Sequence, residues 1–490
     1  MKYYFQLKDK KSDFEVVRFS GEETMNDVYK YEIEFISKSV PDILMKEAEF
    51  RLTFGKYENK IHGLIAEMEI IRKIRDYYYC KAVLTSRFYK LNFNITCDIY
   101  TDKNIIEVFD KVLKNNGFSS NDYKYQLYDQ DKIKNKKFEF IVQYNESDFN
   151  FIKRWCERMG IYFYFEQEDQ KEVLVFSNSN SLDDFYPYNN EIYYMQISGV
   201  EGENIYKSAQ EIVFKKKEKI KQVILRDYNY QKSDYDLEVK YDANKEGKTV
   251  YISTLHYETK EEGEALAKII GQSLDKESEK LYITSTIPNI FPGYYYYLKN
   301  YFLDVDSGFV TETRKKGSGE TFLNETKNQF ECEFTMLPGK KQYRKELSTP
   351  KPEIKGILLG KIHGQGDTPF LDEKGRYKVS MPYILSDSKP WKISSWIRFA
   401  APTAGGNKGF HFPLKKNTEV ALAFVNGDPD RPVIIGALFN SSNPNVVNAK
   451  NSLENVIESQ KKMKIVFDDN DDLPNIKIMS PSEGTYIRIT

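Results

Sequence analysis

Along most of the chain, apolar and polar residues alternate with a period of two. "YKYEIEFIS" (29–37) and "EFRLTFGK" (49–56) place every second side chain on one face between polar turns, which predicts half-buried strands. Three stretches change to the helical period. Near 102–115, Ile105, Ile106, Phe109, Val112 and Leu113 share one stripe that stops at Gly117. A second helix follows Ser147 as N-cap, carries Phe149, Ile152, Trp155, Cys156 and Met159, and ends at Gly160. The third opens on "TKEE" (259–262), where Thr259 and Glu262 have capping-box spacing, and runs through Leu266, Ile269, Ile270 and Leu274. All three are expected to pack on sheets, with their aromatic and Met positions in the core.

From about residue 338 the texture changes. "LPGKKQYRKELSTPKPEIKG" (337–356) has three prolines and little apolar periodicity, and reads as a linker. "GILLGKI", "GRYKVSMPYI", "SWIRFAAP", "TEVALAFV" and "RPVIIGALF" then follow between 356 and 439, five short strands that predict a small barrel of the OB type. In the fourth, Val420, Leu422 and Phe424 face one way and Ala421, Ala423 and Val425 the other, so its outer face is expected to be covered too. In the last segment Ile465, Ile476 and Ile487 are eleven apart, as are Phe467, Ile478 and Ile489. Three short strands, "KIVF", "IKIM" and "YIRI", therefore repeat, and so few cannot bury their own apolar face. A trimeric β-prism, each subunit adding one strand per layer, would supply the missing neighbours; a chance spacing is the alternative.

A length of 490 residues predicts two to four domains. The 72 Lys and Arg nearly cancel the 73 Asp and Glu, so no net field favours nucleic acid. The basic run "KKKEKIK" (215–221) reads as a solvated strand edge. Abundant Tyr (37) and Phe (32) suit half-buried sheets. The N-terminus lacks the apolar core of a secretory signal, and no apolar run approaches the roughly 18 residues of a membrane helix. Synthesis in the cytoplasm is expected, with any export by a route the N-terminus does not encode. Cys80, Cys97, Cys156 and Cys332 show no CxxC spacing, so free thiols are expected and neither disulfides nor zinc.

Candidate chemistry is thin. "EGKT" (246–249) ends like a phosphate loop, but position 242 is Asp where the motif needs Gly. No HExxH or GxSxG occurs, and His62, His256, His363 and His411 are far apart; His62, in "IHGLIAEMEI", reads as a satisfied structural histidine. "DDNDD" (468–472) invites calcium, yet Leu473 and Met479 stand where an EF-hand loop needs Gly and Glu. No catalytic residue, metal or cofactor is assigned. "GDPDRP", Gly427, Asp428, Pro429, Asp430, Arg431 and Pro432, is either a charged site or a stiff turn. Two prolines that fix φ, and no neighbouring His, Ser or Cys, favour the turn.

"LDEKGRYKVSMPYI" (371–384) and "SWIRFAAPTAGGNKGFHFPLKKNTEVALAFVNGDPDRPVIIGALFN" (395–440) resemble the VgrG spike family of type VI secretion systems. Asp372, Gly375, Arg376, Lys378 and Val379 fit its D-x-x-G-R-x-K-V strand. Trp396, Arg398, Ala404, Gly405, Gly409, Pro413, Glu419, Val420 and the GDPDRP hexapeptide fit the motifs that follow. "YNESDFNFIKRWCERMGIYFYFE" (144–166), "IHGLI" (61–65) and "RDYNY" (226–230) extend the resemblance upstream; Lys415 stands where the family usually has Arg. The resemblance implies a mainly β chain: a phage-hub-like region of tandem β-barrels with packed helices (1–340), the linker (341–356), an OB barrel (357–440) and a short trimeric β-helix or prism, the needle (441–490).

By the same resemblance the chain is a homotrimeric, non-enzymatic spike. Two barrels in each of three chains would match a hexameric, Hcp-like tube ring. The spike would puncture a target membrane and work with baseplate components, effectors and a PAAR-like tip protein seated on Ile476, Ile478, Tyr486, Ile487 and Ile489. Rival readings are a phage-tail or extracellular contractile-device spike with an unrecognised hydrolase activity, and single-stranded nucleic-acid binding by the OB barrel, which would need a basic groove with stacking aromatics.

Overall fold

A computed structural model of the chain describes residues 1–8, 14–54, 57–180, 191–195, 208–321, 329–339, 341–366, 368–384, 392–470, 472–482 and 486–489. The chain divides into two compact units, residues 1–139 with 143–352 and residues 140–142 with 353–490.

In the first unit the alternating stretches form β1 (Lys2–Leu7), β2 (Glu15–Thr24), β3 (Lys30–Ser37), β4 (Glu47–Phe54), β5 (Tyr57–Ile74) and β6 (Tyr77–Thr85). They pair in the order β1-β4-β5-β6-β3-β2, and a bridge from Phe5 to Phe14 returns the first strand to the start of β2. The sheet so curled is a barrel. Period-two patterning sorts its faces: Tyr31, Ile33 and Phe35 are buried, while Glu32 and Glu34 pair with Lys81 and Arg18.

Six later strands build a second barrel: Glu191–Tyr194, Ser208–Lys216, Glu279–Ser285, Tyr295–Lys299, Ser307–Ser318 and Gln329–Pro338. Ser307–Ser318 pairs with Tyr295–Lys299 on one side and Gln329–Pro338 on the other, which closes the ring around Leu281, Ile283, Leu298, Val310 and Met336. The same strand also pairs with β2, from Glu312 opposite Thr24 to Ser318 opposite Arg18. The two barrels thus share a ladder. On it the buried Lys315 meets Glu23 at 2.8 Å, and Glu23 also accepts a hydrogen bond from the Tyr31 hydroxyl at 2.5 Å.

The expected helices are Ile105–Asn115, Asp148–Met159 and Lys260–Asp275. The first starts later than 102 because Asp102 and Lys103 end the strand Ile95–Lys103, and Asn104 and Glu107 cap it reciprocally. Ser147 accepts the Asn150 N–H, and Gly160, at φ 66°, closes the second helix in the left-handed conformation that lacks steric cost only for glycine. At the third, Thr259 accepts the Glu262 N–H, but the Glu262 carboxylate accepts from Glu258, one residue ahead of the cap.

The proline-containing stretch read as a linker is packed as far as residue 352, where the first unit ends. Tyr343 is buried against Tyr162 and Phe309, with ring centres 5.4 and 6.0 Å away. Lys341 pairs with Asp275 at 2.8 Å, and Glu157 accepts hydrogen bonds from the Thr349 N–H at 2.9 Å and its hydroxyl at 2.7 Å.

In the second unit five strands pair in the order Val379–Ser380, Leu358–Ile362, Glu419–Phe424, Pro432–Leu438, Arg398–Phe399, the last pairing parallel. Bridges Tyr377–Ile397 and Ser380–Ile393 join the ends and close an OB-type barrel. Val420, Leu422, Ile434, Val379 and Tyr377 fill it. On the outer face of Glu419–Phe424, Ala421 is buried but Ala423 is only half-buried, so within one chain the expected cover is incomplete.

Because Tyr343 fills a core between the second barrel and its neighbours, Tyr343→Ala should cost about 3–5 kcal/mol in urea unfolding and speed proteolysis across 341–352. A loss below about 1 kcal/mol would mean that the stretch is a loose tether.

Candidate interaction surface

The residues that carried the strongest sequence signals are held in turns, caps and ion pairs. In GDPDRP, Gly427 has φ 72°, the Asp428 N–H donates to Val425 O, and the Arg431 N–H returns to Asp428 O at 2.9 Å. The Asp428 carboxylate accepts the Asp430 N–H at 2.9 Å. Asp430, nearly buried, accepts the Val142 N–H at 2.6 Å, which ties residues 140–142 into the second unit. Both carboxylates therefore serve backbone donors.

The other motifs behave alike. Asp372 accepts N–H groups of Lys374 and Arg376 and pairs with the Arg376 guanidinium at 2.7 Å, around Gly375 at φ 69°. The Lys378 ammonium sits 4.8 Å from the Trp396 ring centre, and Glu419 accepts from the Asn440 amide at 2.7 Å. In the first unit, Glu146 and Arg154 form a buried ion pair at 2.7 Å, with Ser147 as the helix cap between them. Asp148 accepts the side-chain amides of Gln143 and Asn116, both at 2.7 Å.

Burial pushes the Cys332 thiol up to about 12 and raises Cys80, Cys97 and Cys156, so none is poised as a thiolate. His62 is buried, and burial lowers its pKa. It is less satisfied than the strand context suggested, because its Nε2 has no hydrogen-bond partner and its Nδ1 lies 3.9 Å from Glu49. His411 Nε2 sits 2.9 Å from the Tyr377 hydroxyl. Within "DDNDD", Asp468 pairs with Lys477 at 3.0 Å and Asp469 accepts from Asn455 at 2.7 Å; Asp471 lies outside the described residues.

What remains open is the C-terminal sheet. Four strands, Glu454–Glu458, Lys464–Asp468, Asn475–Met479 and Tyr486–Ile489, form an antiparallel meander. The eleven-residue spacing showed three of them and missed Glu454–Glu458. Two cross-strand rows share one face: Ile457, Ile465, Ile478 and Ile487, and Asn455, Phe467, Ile476 and Ile489. Ile457, Phe467, Ile478, Ile487 and Ile489 are all exposed, the last two at 59% and 58%. Ile476 is half-buried, and Tyr486 pairs with Met479, one register position off the isoleucine rows. The opposite face sets Val456, the buried Val466 and Met479 among charged residues, with Glu458 paired to Lys462 and Lys464, both at 2.9 Å. Of the five residues expected to meet a tip protein, four thus share the apolar face.

Residues 22–316 match the model of the phage tail baseplate hub (GPD) family, and 367–439 match the type VI secretion system/phage-baseplate injector OB domain. The spike protein VgrG1a of Pseudomonas aeruginosa is 25% identical over 449 residues. The chain belongs to the baseplate hub family, as a VgrG-type spike protein. The match covers 86% of the chain and 67% of VgrG1a; with VgrG1b of the same organism, also 25% identical, it covers 86% of the chain but 58% of the relative. The actin cross-linking toxin VgrG1 of Vibrio cholerae is 23% identical, and the chain spans 42% of it.

Two solved structures share the fold. One is an E. coli type VI secretion component described as similar to the T4 bacteriophage tail proteins gp27 and gp5; at 19% identity and TM-score 0.65, the match covers 89% of this chain and all of that one. The other is a chain of the lidded Francisella PdpA–VgrG complex, with 10% identity and TM-score 0.65, the match covering 96% of this chain and 74% of that one. In this VgrG-type chain the tandem barrels are the hub and the five-stranded barrel is the injector OB domain.

Two substitutions check the structural reading of the motifs. Asp430→Ala leaves the Val142 N–H without this acceptor and should cost about 1–3 kcal/mol by chemical denaturation. For Asp372, burial raises the pKa, but the Arg376 backbone and guanidinium outweigh it and hold the carboxyl below its ordinary value. Its stabilisation is therefore present above about pH 4 and is lost as pH falls through the lower folded value. Asp372→Asn should destabilise the chain at neutral pH and flatten the fall in stability below about pH 4; an unchanged acid limb would contradict this.

Proposed function

We propose that the chain is the homotrimeric spike of a contractile injection machine of the type VI kind. The observation that carries this reading is the exposed apolar face of the C-terminal sheet. A sheet with one salt-bridged face and one isoleucine-rich face is half of a packed layer, and three copies closing around an axis would bury the three apolar faces together. The hub barrels, two in each chain, would then present six units to a hexameric, Hcp-like tube ring. The final strands, from about residue 476, would form a platform for a small PAAR-like tip protein, which adds through apolar burial and strand pairing. Baseplate components, effectors and, transiently, the target membrane complete the partners, and the machine itself carries the chain out of the cell.

The chain is read as a mechanical part. Its motif carboxylates and arginines are taken up by backbone donors and ion pairs, which supports a structural use of each.

Light scattering of the purified full-length chain should give three times 57.6 kDa. Ile487→Asp with Ile489→Asp should abolish co-purification of the tip protein and block delivery, while hub and tube still assemble. A monomer throughout the micromolar range and in assembled particles would overturn the trimer. Normal tip retention by the double variant would overturn the platform.

A further inference from the structure

The small sheet beneath the helix Lys260–Asp275 has an edge and an end that the spike reading leaves unused. Its strands pair in the order Leu237–Asp242, Ile220–Asp227, Lys248–Ser253. The helix lies over the first two, where Gly263 approaches Val239 and Gly271 approaches Tyr241 and Val223. Both outer strands are edges among the described residues, and they are built differently. Leu237–Asp242 sets Glu238, Lys240 and Asp242 along its outward face, a charge pattern that discourages further pairing. Lys248–Ser253 reads "KTVYIS", with no charge after Lys248 and no proline. Its Tyr251 is exposed, and Val250 and Ile252 are only half-buried beside the helix. Half of its backbone N–H and C=O groups face away from the only strand it pairs with among the described residues.

The basic run 215–221 ends at the same place. Ile220 stands opposite Lys248, and the Lys248 N–H donates to Lys219 O at 3.0 Å, so the turn 217–219 adjoins the start of the open edge. Glu218 takes Lys248 at 3.0 Å and Glu279 takes Lys219 at 3.5 Å. Lys215, Lys216, Lys217, Lys221 and Lys245 are exposed and make no ion pair among the described residues. An unprotected edge therefore begins in a patch of uncompensated positive charge.

We infer that Lys248–Ser253 is a docking edge for an extended acidic segment of a partner protein, added as a fourth strand with its carboxylates over the lysines. Main-chain pairing supplies affinity, alternate side chains meet Tyr251 on one face and Val250 with Ile252 on the other, and the lysines select charge. A nucleic acid would satisfy the lysines but not the open amides. An extended peptide satisfies both. The edge lies in the first unit and the isoleucine rows in the second, so the peptide titration and the needle variants probe different residues.

The probes are two fluorescein-labelled peptides, Val-Thr-Val-Thr-Val with a run of glutamates at the N-terminal or the C-terminal end, titrated against the full chain by anisotropy. At least one should bind. Its affinity should fall about tenfold or more on N-methylation of alternate residues, in the triple variant Lys217→Glu, Lys221→Glu, Lys245→Glu, and on raising salt from about 0.05 to about 0.5 M. Amide exchange should slow at residues 249–253. An unchanged unfolding midpoint shows that the triple variant is folded. Failure of both peptides to bind, equal binding of the N-methylated form, no protection at 249–253, or binding of duplex DNA in preference to both peptides each overturns the site.

Discussion

The ladder between β2 and Ser307–Ser318 is the constraint on which the hub depends. Each barrel closes on its own, so nothing in either one alone fixes its partner. The shared strands do, and the buried Lys315–Glu23 pair with its Tyr31 hydrogen bond sets their register. A slip of one residue would turn Lys315 to the other face and leave a buried carboxylate uncompensated, a penalty of several kcal/mol. Two barrels therefore travel as one body, which is what a chain needs if each copy is to offer two equivalent units to a ring.

The two ends of the chain treat apolar surface in opposite ways. In the hub, aromatic and aliphatic residues are buried inside closed barrels, leaving charged ladders outside. In the C-terminal sheet the charges are paired on one face and the isoleucines are left in the open on the other. Among the described residues a four-stranded meander of that kind has no second layer. Exposed rows of this kind suit a partner surface, and the proposed trimer would supply it from further copies of the same sheet.

The family motifs divide between these tasks. Asp372 and Asp428 fold turns around Gly375 and Gly427, Asp430 anchors Val142, and Glu146 holds Arg154 across the cap of a helix. Residues of this kind look catalytic in a sequence because charge in a glycine- and proline-rich loop has two uses. The hydrogen bonds described here go to backbone donors and to one another, which supports the structural use.

Much is legible in the sequence alone, for local reasons. Ser147, Gly160 and Thr259 mark helix ends because capping involves atoms a few residues apart, and the Asn104–Glu107 box is a signal of the same local kind. Alternation revealed the barrel strands, since a strand records its buried face in every second residue. At the C-terminus the spacing shows the repeated strands but not how they pair. Ile465 lies opposite Ile478, 13 residues on, and Ile478 opposite Ile487, 9 residues on; the mean of these is the eleven-residue period, so an antiparallel meander leaves the same trace as a regular coil of strands. Only the folded chain pairs Asp430 with Val142, buries Tyr343 in a stretch that looks like a tether, joins the barrels through Lys315, and leaves 248–253 as an open edge. Those contacts connect positions far apart in the chain, and no local pattern of period two or 3.6 encodes which distant element will meet them.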